Sequence, residues 1–347
     1  QKYSGQVESF DLAGLQQQLG LDSALVEYTT VGDELLAFVV TDKCIHVVRN
    51  LALDSEISQE IAGFRFQVDT LRFGSEAIRK HLPALTQKVR SHMESLYDQL
   101  LRPLEQQIGE RRLVVVPHGA LHYLPFHALY DGKRYLIEKR EISYAPSAAI
   151  LQQCLDRAEH PLTNALLLGV SDEKTPRVRD EIQVISQVFS KATSLLDQDA
   201  TTKALRENSP AADVLHLACH AHFRSDNPLF SALRLADGWL TVRDAYTLKL
   251  NCGLVTLSAC ETGVNEVAPG DELIGLARGF FSAGCPSILL SLWMVDDEAT
   301  AQLMADFYGE LKNGKSFSSA LRSAQMKMLE EKPHPFFWSP FVLLGRW

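Results

Sequence analysis

The fold is decided by two stretches of sequence, VLHLACHAH at residues 214–222 and LVTLSACETG at residues 254–263. Each begins as a short and almost wholly apolar run, which is typical of a strand buried on both faces of a parallel sheet. Each then reaches a reactive side chain, His220 in the first stretch and Cys260 in the second. Ligands bind at the carboxyl ends of the strands in such sheets. If the two strands are neighbours, we therefore expect His220 and Cys260 to face one crevice.

Other short apolar runs lie at residues 113–116, 166–168, 288–293 and 341–344. Stretches with helical spacing separate most of these runs, for example at Asp271–Ala283 and at residues 298–312. Apolar runs that alternate with helices predict the α/β class, with a mostly parallel sheet flanked by helices on both faces. We expect two halves, residues 1–155 and residues 156–347.

A thiol and an imidazole within hydrogen-bond reach of each other form an activated nucleophile. The imidazolium stabilises the thiolate and later protonates the leaving group. Each residue also has a simpler interpretation. A cysteine at a strand end is commonly a small buried apolar residue, and a histidine there is commonly a hydrogen-bonded core residue. The placement of Cys260 and His220 favours the catalytic interpretation without deciding it.

Composition limits the classes of function. The chain has 347 residues, of which 46% are hydrophobic and 22% charged, as in a globular protein with a large core. The sequence contains no run of about 18 apolar residues, so it predicts no membrane-spanning helix. The net charge is −9 and no cluster of lysine and arginine occurs, which argues against direct binding to nucleic acid. The six cysteines are scattered and form no CxxC pair, so a reducing, cytoplasmic location is expected rather than a disulfide framework.

The acidic residues are concentrated in residues 261–310, which contain nine acids and the single base Arg278. Most acids of this kind lie at helix N-termini or on solvated faces, and a cationic ligand is the more specific interpretation. Asp296 and Asp297 follow the apolar run at residues 288–293, so they should reach the same crevice. Either one could instead be the N-cap of the helix that follows.

Metal and cofactor sites have little support. His216, His220 and His222 share one face of their strand, but Cys219 points to the other face and no carboxylate is spaced to complete a zinc site. We therefore expect no metal, and we expect His216 to be a buried, hydrogen-bonded core residue. No Walker-type phosphate loop and no dinucleotide fingerprint occurs, so no cofactor is predicted.

Several motifs together resemble the CHAT family of cysteine peptidases, relatives of caspases and separases. The motifs are VVPHGALHYLPF (115–126), YAPS (144–147), HLACH (216–220), LSACETG (257–263), GDELIGL (270–276), SLWMVDD (291–297) and FWSPF (337–341). The resemblance covers nearly the whole chain. It implies a caspase-like catalytic half, residues 156–347, preceded by a pseudo-protease α/β half, residues 1–155, as in separase.

By motif, the resemblance implies Cys260 as the nucleophile and His220 as the general acid/base. It also implies an oxyanion hole formed by the backbone N–H groups of Cys260 and Ala221. The chain departs from the family at this point, because the family usually has glycine after the catalytic histidine and this chain has Ala221. If that position required a positive φ, alanine would cost about 1 kcal/mol. If the local turn accepts a Cβ, nothing is lost.

By position, Asp296 and Asp297 resemble the separase segment whose acid binds a P1 arginine. A carboxylate there would pair bidentately with a guanidinium, so a basic P1 residue is expected. Asp226 and Asp271, in flanking loops, are further candidates for substrate contact.

The resulting hypothesis is a cytoplasmic cysteine endopeptidase that cuts a protein partner through a thioester on Cys260. Family members commonly carry N-terminal helical repeats that bind partners and gate activity, and the chain starts without Met, as a segment of a longer protein would. We therefore expect regulation by such repeats or by an activating partner protein, and no direct contact with nucleic acid or membrane. The alternative is a catalytically silent caspase-like scaffold for protein–protein interaction.

Overall fold

A computed structural model of the chain describes residues 10–72, 80–159, 161–173, 175–222, 231–261, 271–293 and 296–347. At residues 72, 259–261 and 271–274 only the backbone is described. Among the helices formed by these residues, none has the length and apolar character needed to cross a membrane.

The described residues form thirteen strands. They are β1 (Ser23–Val31), β2 (Glu34–Val40), β3 (Ile45–Leu53), β4 (Arg112–Val116), β5 (Ile142–Tyr144), β6 (Asn164–Gly169), β7 (Lys191–Leu196), β8 (Val214–His222), β9 (Ala232–Leu235), β10 (Gly238–Thr241), β11 (Leu254–Glu261), β12 (Ser287–Ser291) and β13 (Phe341–Gly345).

The same residues form helices of very different lengths. They are α1 (Leu12–Leu19), α2 (Asp54–Arg72), α3 (Leu82–Leu100), α4 (Glu105–Ile108), α5 (Leu136–Lys139), α6 (Ala148–Leu155), α7 (Val178–Ser186), α8 (Thr202–Asn208), α9 (Val242–Ala245), α10 (Asp271–Ala283), α11 (Asp297–Lys312), α12 (Phe317–Glu331) and α13 (Pro335–Trp338).

Polar side chains define where several helices begin. Ser147, Thr201, Asp296 and Ser316 precede α6, α8, α11 and α12, and each accepts a hydrogen bond from the backbone N–H three residues ahead. Such N-caps satisfy an N–H group that has no partner within the helix, and each contributes about 1 kcal/mol.

The strands form one continuous sheet in the order β7-β6-β8-β11-β12-β13-β5-β4-β1-β2-β3. The hairpin β9–β10 pairs with the far end of β8. The strands β6, β8, β11 and β12 run parallel, as do β13, β5, β4 and β1. Because β13 is antiparallel to β12, the two groups point in opposite directions. The carboxyl ends of β8 and β11 therefore lie at the sheet edge opposite to His118, which follows β4.

Helices cover both faces of the central strands, which explains why β4, β6, β12 and β13 are almost wholly apolar and buried. In β4, Leu113 and Val115 join the main core, whereas Val114 and Val116 join a second cluster with α1 and α6. All four side chains are buried, and burying a valine or leucine contributes about 1.5–3 kcal/mol.

The strand β13 joins the two groups, since it pairs antiparallel with β12 and parallel with β5, where Leu344 pairs with Tyr144. The helix α12 reinforces this junction. Arg322 donates from Nε to the carbonyl oxygen of Ile137 at 2.6 Å, and Gln325 donates to that of Phe341 at 2.9 Å. The helix therefore binds segments from both sides of the junction.

The predicted α/β class is confirmed, since a mostly parallel sheet is flanked by helices. The expected boundary between residues 155 and 156 falls between α6 and β6. The division of the chain into residues 1–155 and 156–347 stays a prediction.

Candidate active site

The strands that carry His220 and Cys260 are neighbours. β8 and β11 run parallel, and their register pairs Cys260 with His220 and Glu261 with Ala221. Neighbouring strands lie about 4.8 Å apart. The backbones of His220 and Cys260 therefore stand side by side at the carboxyl ends of their strands, which meets the condition set in the sequence analysis.

The His220 ring is bound on one side. Its side chain is 13% exposed, and its Nε2 lies 2.7 Å from Oδ2 of Asp172. The other ring nitrogen, Nδ1, is buried and has no hydrogen-bond partner in the described part of the chain. A carboxylate only accepts hydrogen bonds, so we assign the proton of the neutral ring to Nε2 and a lone pair to Nδ1.

Asp172 follows β6, the strand beside β8, and so lies at the same sheet edge. Its Oδ1 accepts hydrogen bonds from the N–H and the hydroxyl of Thr175, each at 3.1 Å. Sequence reasoning missed Asp172. The signal that identifies His220 and Cys260, a polar side chain after an apolar run, is also present here, because Ser171 and Asp172 follow the run at residues 166–168.

A second set of contacts holds the loop that carries Asp172. Oδ1 of Asp197 accepts from the N–H and the hydroxyl of Ser171, at 3.0 and 2.7 Å. Arg179 of α7 lies 2.5 Å from Oδ2 of Asp197 and also donates to the Ser171 hydroxyl. Asp197 has a φ of +48°, a conformation that non-glycine residues rarely adopt and that often marks functional sites.

Ala221 lies within β8, is fully buried and pairs with Leu233 of β9. Among the described residues, the non-glycine residues with positive φ are Asn50 and Asp197. Ala221 therefore does not adopt a positive φ, and the cost of about 1 kcal/mol that an alanine would have in that conformation does not arise. The proposed role of its N–H in an oxyanion hole stays a prediction.

Asp296 and Asp297 have different surroundings. Asp296 is the N-cap of α11, and its Oδ1 accepts the N–H of Ala299 at 3.0 Å. Oδ2 of Asp297 accepts the N–H of Arg177 at 2.7 Å. Burial raises the pKa of the Asp297 carboxyl, the N–H of Arg177 lowers it, and the nearby carboxylate of Glu181 raises it again, with a net upward shift.

One short segment connects Asp297 to the histidine. Residues 171–177 carry Asp172, which contacts His220, and Arg177, whose N–H binds Asp297. Asp172 and Arg177, which make these two contacts, are five residues apart in the sequence. Asp226 lies outside the described residues, and Asp271 begins α10 with only its backbone described.

His216 is a buried, hydrogen-bonded core residue, as predicted. Its side chain is 0% exposed, and Nδ1 lies 3.1 Å from the hydroxyl of Tyr308. That hydroxyl donates to Oγ1 of Thr256 at 2.8 Å. Oε1 of Glu181 lies 3.0 Å from Nε2 of His216, although the two groups are not oriented to form a hydrogen bond. These contacts attach α11 and α7 to the strands that carry His220 and Cys260.

The first half of the chain also reaches the site. Arg65 of α2 donates to the carbonyl oxygen of Leu292 at 2.9 Å, directly after β12. Its guanidinium lies 5.6 Å from the ring centres of both Tyr123 and Trp293. Sequence reasoning did not identify Arg65, because nothing in a local pattern indicates a contact across more than 200 residues.

Comparison with known proteins identifies the family and the fold of the chain. The CHAT domain family model matches residues 90–346. Tetratricopeptide repeat protein 28 of Mus musculus and that of Homo sapiens are each 26% identical over 73% of this chain, which spans 13% of either relative. The fold is similar to that of the Saccharomyces cerevisiae separase–securin complex, with a TM-score of 0.68 and 11% identity over 96% of this chain and 30% of that one. The chain therefore belongs to the CHAT domain family and has its caspase-like α/β fold.

Proposed function

We propose that this chain is a cysteine endopeptidase in which Cys260 is the nucleophile and His220 the general acid/base. The observation that carries the proposal is the register of β8 and β11, which places the two residues side by side while Nδ1 of His220 has no described partner. In this proposal residues 156–347 form the catalytic half, and residues 1–155 form a non-catalytic half.

The chemistry follows from the positions of the protons. Nδ1 of His220 takes the thiol proton, and the thiolate of Cys260 attacks the scissile carbonyl carbon to form a C–S bond. Backbone N–H groups at Cys260 and Ala221 are proposed to stabilise the oxyanion. When the C–N bond breaks, Nδ1–H protonates the leaving amine. Water then attacks the thioester carbon while Nδ1 accepts its proton, the C–S bond breaks, and Nδ1–H returns the proton to the sulfur of Cys260.

We place the P1 pocket at Asp297 rather than at Asp296, and we expect a basic P1 residue. Asp296 already caps α11, whereas Asp297 is partly buried with a raised carboxyl pKa. A carboxylate in that position is stabilised by a cation, and a P1 guanidinium supplies one. The excess of acids over residues 261–310 favours the same charge.

Covalent labelling tests the nucleophile. The probe is an acyloxymethyl-ketone peptide with arginine at P1, and the readout is the intact mass. We expect one adduct on the wild type, none on Cys260→Ala and labelling at least about 100-fold slower on His220→Ala. Cys44 is the matched control, because this half-buried residue has its Sγ 3.1 Å from Nε2 of the exposed His46 and forms a second thiol–imidazole pair.

Cys44→Ala should be labelled like the wild type. An adduct that persists in Cys260→Ala, or one that disappears in Cys44→Ala, would contradict the proposal. If probes with every class of P1 residue leave the wild type unlabelled, both in this segment and with the upstream repeat region restored, the chain is the silent scaffold.

The P1 assignment has its own test. Asp297→Asn should lower the preference for arginine over glutamine at P1, measured as the ratio of kcat/KM values, by about 10- to 100-fold. This factor corresponds to the free energy that one charge-assisted hydrogen bond contributes. Asp296→Asn removes the same charge but keeps an N-capping side chain, and it should change the preference by less than about 3-fold. A library profile that favours aspartate or an apolar P1 residue would overturn the assignment.

Regulation by repeats is the remaining part of the proposal. It is supported by the names of the relatives, which are tetratricopeptide repeat proteins, and by the separase structure, which is a complex with securin. We expect low basal activity in this segment and higher activity when an upstream repeat region and its partner are present. A segment that cuts substrate at full rate on its own would contradict this expectation.

A further inference from the structure

The loop after β6 suggests a role for Asp172 that goes beyond the two residues of the proposed mechanism, although it rests on that mechanism. We infer that Asp172 is a positioning residue that fixes the His220 ring with its lone pair on Nδ1, and that Asp197 and Arg179 hold Asp172 in place. The contacts form two layers, with Asp172 against the imidazole and Asp197 and Arg179 against the loop.

The first layer determines which ring nitrogen is basic. Oδ2 of Asp172 lies 2.7 Å from Nε2 of His220 and accepts its proton as a hydrogen bond. The proposed mechanism needs a basic Nδ1, because Nδ1 is the ring nitrogen without a described partner. With the proton held at Nε2, the neutral ring has its lone pair at Nδ1. When Nδ1 takes the thiol proton, the same carboxylate stabilises the imidazolium.

The orientation of the carboxylate is fixed by Thr175. Its N–H and its hydroxyl both donate to Oδ1 of Asp172, each at 3.1 Å, so that position requires an acceptor. In Asp172→Asn the amide oxygen would therefore occupy the position of Oδ1, and the amide NH2 would face Nε2 of His220. An NH2 donor there requires Nε2 to be an acceptor, which moves the ring proton to Nδ1 and blocks the proposed base.

The second layer holds the loop without touching the imidazole. Asp197 binds both polar groups of Ser171, the residue before Asp172, and Arg179 pairs with Asp197. The positive φ of Asp197 is a strained conformation that its surroundings maintain. Asp197→Asn keeps an acceptor for Ser171 but loses the charge that pairs with Arg179, so it should loosen the loop and leave the ring tautomer unchanged.

The first experiment reads the tautomer directly. Long-range ¹H–¹⁵N correlation spectra of the ¹⁵N-histidine-labelled chain are recorded at about pH 8.5, where an ordinary imidazole is neutral. His220→Gln identifies the His220 signals by their loss. We expect the Nε2–H tautomer in the wild type and the Nδ1–H tautomer in Asp172→Asn. The matched control is Asp180→Asn, since Asp180 is an exposed carboxylate on α7 paired with Arg177, and its spectrum should match the wild type.

The second experiment measures the reactivity of Cys260 with chloroacetamide by peptide mapping, with Cys44 as the reference thiol in the same molecule. Asp172→Asn should slow the alkylation of Cys260 by about 10- to 100-fold relative to Cys44. Asp197→Asn should slow it by a smaller factor, about 3- to 10-fold, with the Nε2–H tautomer retained.

An Nδ1–H tautomer in the wild type, or an unchanged tautomer in Asp172→Asn, would overturn the role of Asp172. Equal alkylation rates in the wild type and Asp197→Asn would overturn the second layer. Neither readout requires a peptide substrate. If the tautomer switches as expected while no variant cuts any peptide, the inference about the imidazole stands and the proposed endopeptidase activity fails.

Discussion

Replacing Tyr308 by phenylalanine should destabilise the sheet beneath the candidate active site. Tyr308 is fully buried, and its hydroxyl bridges the strands β8 and β11 by contacting His216 and donating to Thr256. The substitution removes one oxygen atom and leaves the ring in place, so no large cavity forms. It does leave two buried polar atoms, Nδ1 of His216 and Oγ1 of Thr256, without this partner.

The magnitude follows from those two contacts. A buried hydrogen bond contributes about 1 kcal/mol net, and an orphaned buried polar group costs about 1–3 kcal/mol. We expect Tyr308→Phe to lower the free energy of unfolding by about 2–4 kcal/mol. Tyr246→Phe is the matched control, because Tyr246 is 43% exposed, and its cost should stay within about 0.5 kcal/mol.

Urea unfolding followed by circular dichroism measures both variants. A double-mutant cycle with Thr256→Val sharpens the test, since removing both partners of a hydrogen bond costs less than the sum of removing each one. We expect a coupling energy of about 1 kcal/mol between the two positions. Strict additivity, or a Tyr308→Phe variant as stable as Tyr246→Phe, would refute the argument that this hydroxyl links the strands.

Two further predictions concern stability. Burial lowers the pKa of His127 to about 3 and that of His334 to about 4, below the 6.5 of an unfolded histidine. The unfolded state therefore binds more protons below pH 6.5, and stability should fall by on the order of 1 kcal/mol per pH unit for each histidine as the pH drops. Urea midpoints between about pH 7.5 and 5 measure this, and His127→Asn should flatten the slope. Gly345→Ala would place a Cβ against the carbonyl oxygen of Pro286 at a φ of +87° and should cost about 2–5 kcal/mol. In Gly314→Ala, at a φ of +85° with no atom within 4 Å of the new Cβ, only about 1–2 kcal/mol should be lost, and equal losses at the two glycines would refute the role of the contact.

The sequence predicts the elements around the site well because their signals are local. The apolar runs of β8, β11 and β12 are short and are followed by polar residues, and α10 ends at Ala283, directly before Gly284. The proximity of His220 to Cys260 follows from the rule that successive parallel strands tend to be adjacent in the sheet. The helix α2 is absent from the sequence-based expectation, although Ile57, Ile61, Phe64 and Val68 recur at helical spacing and are all buried.

Long-range geometry could not be predicted in the same way. The apolar run at residues 341–344 does not reveal that β13 is antiparallel to β12 and parallel to β5, because strand direction is set by partners far away in the sequence. This direction places His118 and His220 at opposite edges of the sheet. Asp296 and Asp297 are adjacent in the sequence and equivalent as charges. Only the turn of the backbone into α11 shows that Asp296 is the N-cap.

The position of β13 has a consequence for the synthesis of the protein. Tyr144 of β5 is synthesised 197 residues before Phe341, the first residue of β13. The strand β13 then pairs with both β5 and β12. At about 5–20 residues per second, β5 spends about 10–40 s on the ribosome with one apolar edge unpaired. Ribosome profiling of bound chaperones should therefore detect occupancy that starts as β5 leaves the exit tunnel and ends as β13 emerges.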